Sequence, residues 1–248
     1  MRDNHLHTHF SYDCDTDFTD YLEHYADEIV TTEHFDLSNP YGGKGCVDNA
    51  PDYEAYSAEI EKLSEHYGQR IRKGIEIGYY APRQEDILSY LADKDYDLKL
   101  LSVHHNGTFD YLEDAVYDLE LSHHIPDYIH RMIEAIEAIP ADVLAHFDYG
   151  FRQLDLTVDD LKPYEKDLKQ LFHTMMAHNL AFELNSKSMY LYHNEPLYRY
   201  ALELLQEMGC QKYSVGSDGH VLEHFRLHFD QIKSLLDEFG ITEEQLVQ

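Results

Sequence analysis

The stretch Leu98-Lys99-Leu100-Leu101-Ser102-Val103-His104 shows the pattern that decides the fold, a short apolar run that ends in a histidine. Histidines and acids follow other short apolar segments at His5-Leu6-His7, Glu33-His34, Gly74-Ile75-Glu76, Ala145-His146 and Ser217-Asp218-Gly219-His220. Imidazole and carboxylate are the ligands that borderline divalent metals prefer. The pattern therefore predicts several metal ions held in one pocket, and it favours an enzyme.

The apolar runs alternate with longer amphipathic segments, as in βα units around a mostly parallel sheet. The predicted strands lie at about 3–7, 28–32, 74–78, 98–103, 142–146, 180–184 and 213–217. The predicted helices lie at 17–27, 53–67, 84–93, 112–121, 126–138, 158–178 and 196–208, with a final pair after 227. Seven strands joined by helices favour a closed or nearly closed barrel, which builds its site at the C-terminal ends of the strands. An open doubly wound sheet is the alternative.

Length and composition indicate one domain over residues 1–248, because no low-complexity tract, long linker or internal repeat divides the chain. No stretch approaches the roughly 18 unbroken apolar residues of a membrane helix, and the first residues lack the apolar region of a secretory signal. Cys14, Cys46 and Cys210 are far apart, which predicts neither a disulfide framework nor a thiolate zinc site. We expect a cytoplasmic protein that does not bind membranes.

The formal net charge of −29 argues against duplex DNA or RNA as a partner, because a phosphate backbone needs a basic surface. Most of this charge is interpreted as a solvated surface. An anionic substrate would need local positive charge, which clustered metal ions can supply inside an acidic protein. The same acidic field favours a substrate that carries amine or imidazolium groups.

Six motifs in chain order resemble those of the polymerase and histidinol phosphatase (PHP) family. The opening Asp3-Asn4-His5-Leu6-His7-Thr8, with Ser11-Tyr12-Asp13, is similar to the first motif of that family. Five further segments of this chain are similar, in order, to the next five motifs of the family: Thr32-Glu33-His34, Gly74-Ile75-Glu76, Ser102-Val103-His104, Leu144-Ala145-His146 and Gly216-Ser217-Asp218-Gly219-His220. The resemblance covers residue 3 to about 230 and implies a distorted seven-stranded (β/α)7 barrel with three divalent ions.

The resemblance also implies a ligand set for the three ions. The ligands would be His5, His7, Glu76 and Asp218 on the first ion, Glu76 as a bridge with His104 and His146 on the second, and Asp13, His34 and His220 on the third. Many relatives carry histidine where Asp13 stands. Because an oxygen ligand shifts preference from zinc toward manganese or iron, the cofactors are expected to be Zn, Mn or Fe.

Such a centre suits the hydrolysis of a phosphate monoester, which is among the slowest uncatalysed reactions. Adjacent ions lower the pKa of a bound water, neutralise phosphoryl oxygens and stabilise the leaving alkoxide. We expect in-line attack by a metal-bound hydroxide, with Glu76 holding two ions together. Asp218, His220 and His34 are the candidates for donating a proton to the leaving oxygen.

Within the family, Gly74-Ile75-Glu76-Ile77-Gly78-Tyr79 and Asp95-Tyr96-Asp97 resemble the histidinol-phosphatase branch. The resemblance implies hydrolysis of L-histidinol phosphate to L-histidinol and phosphate, a step of histidine biosynthesis. One departure is His105-Asn106-Gly107, where that branch commonly has an apolar residue after the histidine of the fourth motif. The substrate is therefore expected to be a small phosphorylated metabolite.

Four residues are the candidates for substrate contacts. Arg152 presents a fork that matches phosphate, although a surface salt bridge is the alternative. Asn185 follows the sixth predicted strand and is expected at the rim, with a loop turn as the alternative. His105 and His224 lie near the motif loops.

Two other functions are consistent with the same residues. The first is a phosphoesterase for nucleoside phosphates, short oligonucleotides or phosphotyrosine, with the same metal site. The second is a non-catalytic metal-binding or regulatory protein whose barrel is an interaction surface. The sequence does not predict the oligomeric state.

Overall fold

A seven-stranded, mostly parallel sheet forms the centre of the protein, for which a computed structural model describes residues 1–26, 28–43, 45–68 and 70–248. The strands are β1 (Ile29–Asn39), β2 (Val47–Asn49), β3 (Ile71–Gly78), β4 (Leu98–Ser102), β5 (Val143–Leu144), β6 (Ala181–Asn185) and β7 (Tyr213–Gly216). Their order is β2-β1-β3-β4-β5-β6-β7, and only β2 is antiparallel to its neighbour. The order follows the chain from β3 onward, as expected when each connection carries a helix.

The predicted strand at 3–7 is an irregular segment that closes the sheet into a barrel. On one side the amide of Asn4 donates to the carbonyl of Val215, within β7, at 2.9 Å. On the other side the amide of Thr32, within β1, donates to the carbonyl of Leu6 at 2.7 Å. The segment therefore lies between the two ends of the parallel sheet. The barrel counts this segment with β1 and β3 to β7, and β2 is an added hairpin strand.

The helices lie outside the strands and bury one face each. They are α1 (Phe18–His24), α2 (Tyr53–Tyr67), α3 (Gln84–Leu91), α4 (Leu121–Ala138), α5 (Val158–Leu161), α6 (Glu165–Ala177), α7 (Glu195–Glu207) and α8 (Phe229–Glu238). The side chain of Asp17 caps α1 and that of Asp52 caps α2, so both predicted starts are confirmed to within a residue. In α7, Leu197, Ala201 and Leu205 recur at helical spacing and are buried.

Several predicted boundaries are wrong. The segment predicted as a helix at 112–121 forms only a short 3₁₀ turn at Asp114–Asp118, and α4 begins earlier than expected. The helix predicted at 158–178 is broken by a 3₁₀ turn at Lys162–Tyr164, since Pro163 has no amide hydrogen to continue the helix. The first predicted helix ends at His24, and its last position, residue 27, lies outside the described residues.

Strand β1 is also longer than predicted and continues to Asn39. The expected strand at 28–32 ends where Glu33, His34 and Asp36 interrupt the apolar pattern. All three side chains are buried, and Glu33 and Asp36 are fully inaccessible to solvent. Buried charged side chains need partners, so the end of β1 marks a polar centre inside the barrel. Among the described helices, none has the length and hydropathy that crossing a bilayer requires.

Candidate metal centre

The C-terminal ends of the barrel strands bring together all nine predicted metal ligands. His34 in β1 lies opposite Glu76 in β3, since the two residues are register partners in the parallel pair. His104 and His146 follow β4 and β5 by two residues each, and Asp218 follows β7 by two. Ligands that are far apart in sequence therefore meet at one end of the barrel, as βα barrels arrange their sites.

Glu76 is the centre of the cluster and is fully buried. Its Oε1 lies 3.0 Å from Nε2 of His104 and 2.7 Å from Nε2 of His146. Its Oε2 lies 3.0 Å from Nδ1 of His34, 3.3 Å from Nε2 of His5 and 3.5 Å from Nε2 of His7. One carboxylate is thus surrounded by five imidazoles, two on one oxygen and three on the other.

A second group lies toward solvent, around Asp13. Its Oδ2 is 3.5 Å from Nε2 of His34 and 3.4 Å from Nε2 of His220. Asp218 joins the two groups, because its Oδ1 lies 3.9 Å from Nε2 of His7 and 3.5 Å from Nδ1 of His220. The predicted ligands therefore form one continuous cluster, in which the groups around Glu76 and Asp13 meet at His34 and Asp218. The division of these ligands among three ions stays a prediction.

The unpaired atoms of the cluster test whether metal ions fit. Buried polar atoms normally have a hydrogen-bond partner. Four buried atoms that face one another have no such partner: Nε2 of His5, Nε2 of His7, Nδ1 of His34 and Oε2 of Glu76. In addition, His5, His7 and Asp218 can each point one ligand atom to within 4.8 Å of the others. Lone pairs that converge in this way fit divalent cations.

Three carboxylates outside the predicted ligand set hold the imidazoles in place. Asp36 accepts from Nδ1 of His104 at 2.8 Å, and Glu183 lies 2.7 Å from Nδ1 of His5. Glu33 acts through Ser11, whose hydroxyl donates to Glu33 at 2.6 Å and lies 3.1 Å from Nδ1 of His7. In each case a proton on Nδ1 leaves the Nε2 lone pair facing the cluster. The sequence feature that could have identified these three residues is a carboxylate within or beside an apolar run.

The carboxylates also set the charge of the cluster. Burial lowers the pKa of His104, but Asp36 and Glu76 together raise it to about 10. Burial raises the pKa of Glu76, but His104, His5 and His34 bring it well below its usual range. Burial lowers the pKa of His146, so this imidazole is neutral near pH 7. Glu76 and His146 are therefore already in the forms that bind metals, whereas His104 would release a proton when it binds one.

A cavity of about 230 Å³ opens beside the cluster. It is lined by Tyr12, Asp13, His34, Tyr41, His104, Leu112, His146, Tyr149, Arg152, Lys187, Asp218 and His220. Six of the predicted metal ligands thus form one wall. Arg152 and Lys187 contribute positive charge close to them, while the half-exposed rings of Tyr12 and Tyr41 lie at the edge.

Arg152 is a buried cation of this cavity. Its Nη1 donates to Oδ2 of Asp218 at 3.0 Å, and its guanidinium carbon lies 4.9 Å from the centre of the Tyr149 ring. Its Nε and Nη2 have no hydrogen-bond partner. The alternative of a surface salt bridge is therefore wrong, because Arg152 and Asp218 are both buried. Two unpaired N–H donors are therefore buried beside the cavity.

The other three candidates for substrate contact lie away from the cavity lining. Asn185 is fully buried, and its amide donates to Glu183 and accepts from the amide of Ser188, as in the alternative of a turn. His105 is buried against Tyr80, with ring centres 4.8 Å apart. His224 ends a 3₁₀ turn after β7. Instead, Lys187 reaches the site, with Nζ 3.3 Å from Oδ1 of Asp218.

These features first define a class: an α/β barrel with a cluster of histidines and carboxylates that could hold metal ions at the C-terminal ends of its strands. Comparison with protein families is more specific, because the PHP domain model matches residues 3–187. The chain belongs to the PHP domain family. The predicted barrel of PHP type is confirmed.

One solved structure with the same fold is histidinol phosphate phosphatase from Lactococcus lactis subsp. lactis Il1403, complexed with zinc, L-histidinol and phosphate. Its TM-score is 0.85 and its sequence identity is 19%, and the match covers 97% of this chain and 94% of that chain. At this identity the likeness shows the fold. A comparison with curated protein sequences gives no match.

Proposed function

We propose that the protein is a metal-dependent phosphomonoesterase that hydrolyses L-histidinol phosphate to L-histidinol and phosphate. The observation that carries this proposal is the position of two cationic side chains, Arg152 and Lys187, next to the imidazole and carboxylate cluster in one cavity. A phosphate monoester needs positive charge around its oxygens, both when it binds and when it reacts. The solved phosphatase of the same fold, with zinc, L-histidinol and phosphate bound, supports this substrate class.

The metal ligands prepare the site for divalent ions, which we propose to be three in number and of the Zn, Mn or Fe type. When bound, such ions lower the pKa of water and neutralise phosphoryl oxygens. Glu76 contributes both oxygens to the centre. It connects the imidazoles around Oε1, such as His104, with those around Oε2, such as His34. His5, His7 and His104 are held with Nε2 toward the centre by partners on their other nitrogen.

The phosphate end of the substrate is assigned to Arg152. Its free Nε and Nη2 offer two donors in one plane, the arrangement that matches two phosphate oxygens. Lys187 adds a point charge from the other side of Asp218. Phosphate is therefore held between these cations and the metal centre.

The leaving group is assigned to the acidic and aromatic edge of the cavity. Burial raises the pKa of the Tyr41 hydroxyl, and the negative charges of Asp110, Asp13 and Glu113 raise it further. An edge with this potential favours an amine or an imidazolium over a neutral or anionic leaving group. His34, Asp218 and His220 line the cavity as the candidates for a proton donor to the leaving oxygen. Burial raises the pKa of Asp218, but Lys187 and Arg152 bring it well below its usual range, so one of the two imidazoles is the donor that we propose.

A panel of phosphate esters tests the proposal. The purified protein is stripped with a chelator, reloaded with Zn²⁺, Mn²⁺ or Fe²⁺, and supplied with histidinol phosphate, nucleoside monophosphates, a short oligonucleotide or phosphotyrosine. We expect phosphate release to be lost on stripping, restored by metal, and highest in kcat/KM for histidinol phosphate. A nucleotide or phosphotyrosine that is cleaved much faster would overturn the substrate assignment. Absence of turnover on every ester, with metal bound, would overturn the proposal that the protein is a phosphomonoesterase.

The cellular setting follows from the same proposal. A phosphatase for a small metabolite of amino-acid biosynthesis is expected in the cytoplasm, without a nucleic-acid or membrane partner. Fractionation of the native cells, with the protein detected by antibody, checks the location. Recovery in the membrane fraction would contradict it.

A further inference from the structure

Glu183 is a fully buried carboxylate below the metal centre, in the middle of β6. Its neighbours in the sequence are apolar, Phe182 and Leu184. A buried carboxylate without partners would be costly, and the partners of Glu183 belong to two different metal-ligand segments.

We propose that Glu183 is a positioning residue, which fixes the proton of His5 on Nδ1 and anchors the backbone at His146, and so sets the metal affinity of the centre. The inference rests on the metal centre of the proposed function, and it assigns a role to a residue that makes no contact with substrate.

The hydrogen bonds of Glu183 use both carboxylate oxygens. Oε1 lies 2.7 Å from Nδ1 of His5. Oε2 accepts from the backbone amide of His146 at 2.7 Å and from Nδ2 of Asn185 at 3.1 Å. Three donors therefore converge on one carboxylate, and two of them belong to predicted metal ligands on different barrel segments.

The bond to His5 determines which nitrogen can bind a metal. A carboxylate only accepts hydrogen bonds, so Nδ1 of His5 must carry a proton. The Nε2 lone pair then faces Oε2 of Glu76 at 3.3 Å and has no hydrogen-bond partner. A partner on the far nitrogen of a ligand histidine fixes its tautomer and orientation.

The chain leaves room for this contact at Gly216, the last residue of β7. A Cβ atom built there would lie 2.4 Å from Oε1 of Glu183 and 2.4 Å from Cβ of His5. Both distances are far inside van der Waals contact, so any side chain at this position would push the pair apart. Glycine is required here by the close approach of Glu183 and His5.

The substitution Glu183→Gln tests the role of the second acceptor oxygen. The two donors at the Oε2 position hold the amide oxygen of glutamine there, so its NH₂ group faces Nδ1 of His5. That nitrogen must then become an acceptor, and the proton moves to Nε2, the atom that should bind the metal. We expect about 10- to 100-fold weaker binding of Zn²⁺, measured by titration of the stripped protein in competition with a chelator.

Three further measurements separate positioning from folding. The stripped Glu183→Gln protein should still unfold in one cooperative transition, although loss of the charged acceptor lowers its melting temperature. Glu183→Asp keeps two acceptor oxygens and should bind Zn²⁺ more tightly than Glu183→Gln, although glutamine matches the native size better. The matched control Glu203→Gln, at an exposed position of α7, should leave Zn²⁺ affinity unchanged.

A spectroscopic measurement on the wild-type protein gives an answer even if the variants fail to fold. In the Zn²⁺-loaded protein, nitrogen NMR of the histidine rings should show His5 protonated at Nδ1 and metal-bound at Nε2. Binding through Nδ1, unchanged Zn²⁺ affinity of Glu183→Gln, or equal losses in the Gln and Asp variants would each overturn the proposal. None of these measurements needs a phosphate ester, so their result is independent of whether the proposed phosphatase activity is found.

Discussion

The two charged regions at the cavity hold their groups in different ways. The metal wall is the cluster of predicted metal ligands, including His5 and Glu76, which are buried behind the cavity lining, and the cation wall is Arg152 and Lys187. On the metal wall, His5 and His104 each have a buried carboxylate on the nitrogen that points away from the centre. On the cation wall, Arg152 uses one nitrogen for Asp218 and leaves two without a partner. The metal wall is therefore fixed before any ligand arrives, whereas the cation wall keeps donors free for an anion.

The cation wall is fixed through its backbone segments instead. Asp148 is fully buried and accepts from Ser188 Oγ at 2.9 Å, from Asn194 Nδ2 at 2.8 Å and from Tyr198 Oη at 2.8 Å. These contacts join the segment before Arg152 to the π-helical turn at Lys187–Leu191. π-Helical turns are rare in proteins overall, but those that occur are often found at functional sites. The metal ligands are therefore held one by one, each by its own carboxylate or hydroxyl, while the cations are positioned as a group through the backbone segments that carry them.

The largest expected effect comes from removing the charge at the centre of the metal wall. Glu76→Gln keeps the size of the side chain but replaces one ligand oxygen with an amide group that cannot bind a cation. We expect the loss of metal affinity to exceed about 100-fold, the upper end for residues one step removed from a metal. Phosphate release should fall with it. Metal content after gel filtration and turnover at saturating ester measure both effects.

The matched control for this substitution is Glu54→Gln, at an exposed position of the first turn of α2. It changes the net charge equally and should leave metal content and turnover unchanged. If Glu76→Gln retained the wild-type metal content, the two oxygens of Glu76 would not be needed to hold the metal ions. The contrast between the metal wall and the cation wall would then lose its basis.

A smaller effect is expected on the cation wall. Arg152→Lys keeps the charge next to Asp218 but removes the fork of donors. Hydrogen bonds to charged groups contribute about 1.5–3 kcal/mol each, so inorganic phosphate should bind about 10- to 100-fold more weakly. KM should rise while the metal content stays at the wild-type level. Inhibition by phosphate and elemental analysis of the same sample check both statements.

Arg131→Lys is the control for that experiment, because Arg131 pairs with Asp127 within α4, away from the cavity. Phosphate inhibition should be unaffected by it. Loss of metal from Arg152→Lys, together with weaker phosphate binding, would show that the two walls are not separable and that Arg152 supports Asp218 as a ligand.

The same contrast explains which parts of the site the sequence could predict. The ligand residues stand at the ends of apolar runs, and parallel strands place all such ends at one edge. This made the convergence of His34, Glu76 and His104 predictable from local pattern. The barrel order followed from the alternation of strands and helices. Features of this kind are set by residues that are adjacent in sequence, so they can be read directly from the chain.

The partners on the far side could not be predicted in the same way. Glu183 meets His5 across 178 positions of the chain, and no spacing rule connects them. The sequence predicts Asn185 as a contact at the rim, whereas Lys187 lines the cavity, because the turn after β6 decides which of the two side chains faces it. The break at Pro163 was readable in principle, since proline cannot continue a helix.

The smallest expected effect concerns a support of the cation wall that depends on pH. His124 in α4 is buried, and its Nε2 donates to the carbonyl of Gly150, two residues before Arg152. Burial lowers the pKa of His124 below its usual value near 6.5. The unfolded chain therefore binds a proton at a higher pH than the folded protein does, so this histidine costs stability as the pH falls through 6.5.

His124→Gln keeps a side-chain N–H donor for Gly150 but does not titrate. At pH 7.5 the wild type should be the more stable of the two, and the difference in melting temperature should narrow as the pH falls to 5.5. Phosphate affinity at pH 7.5 should change less than twofold, because the segment before Arg152 is also held by Asp148. A difference that widens on acidification would mean that the imidazolium is stabilised in the fold. A large loss of phosphate affinity would instead show that the single hydrogen bond from His124 to Gly150 determines the position of Arg152. The side chains of the cation wall would then be held individually, as those of the metal wall are.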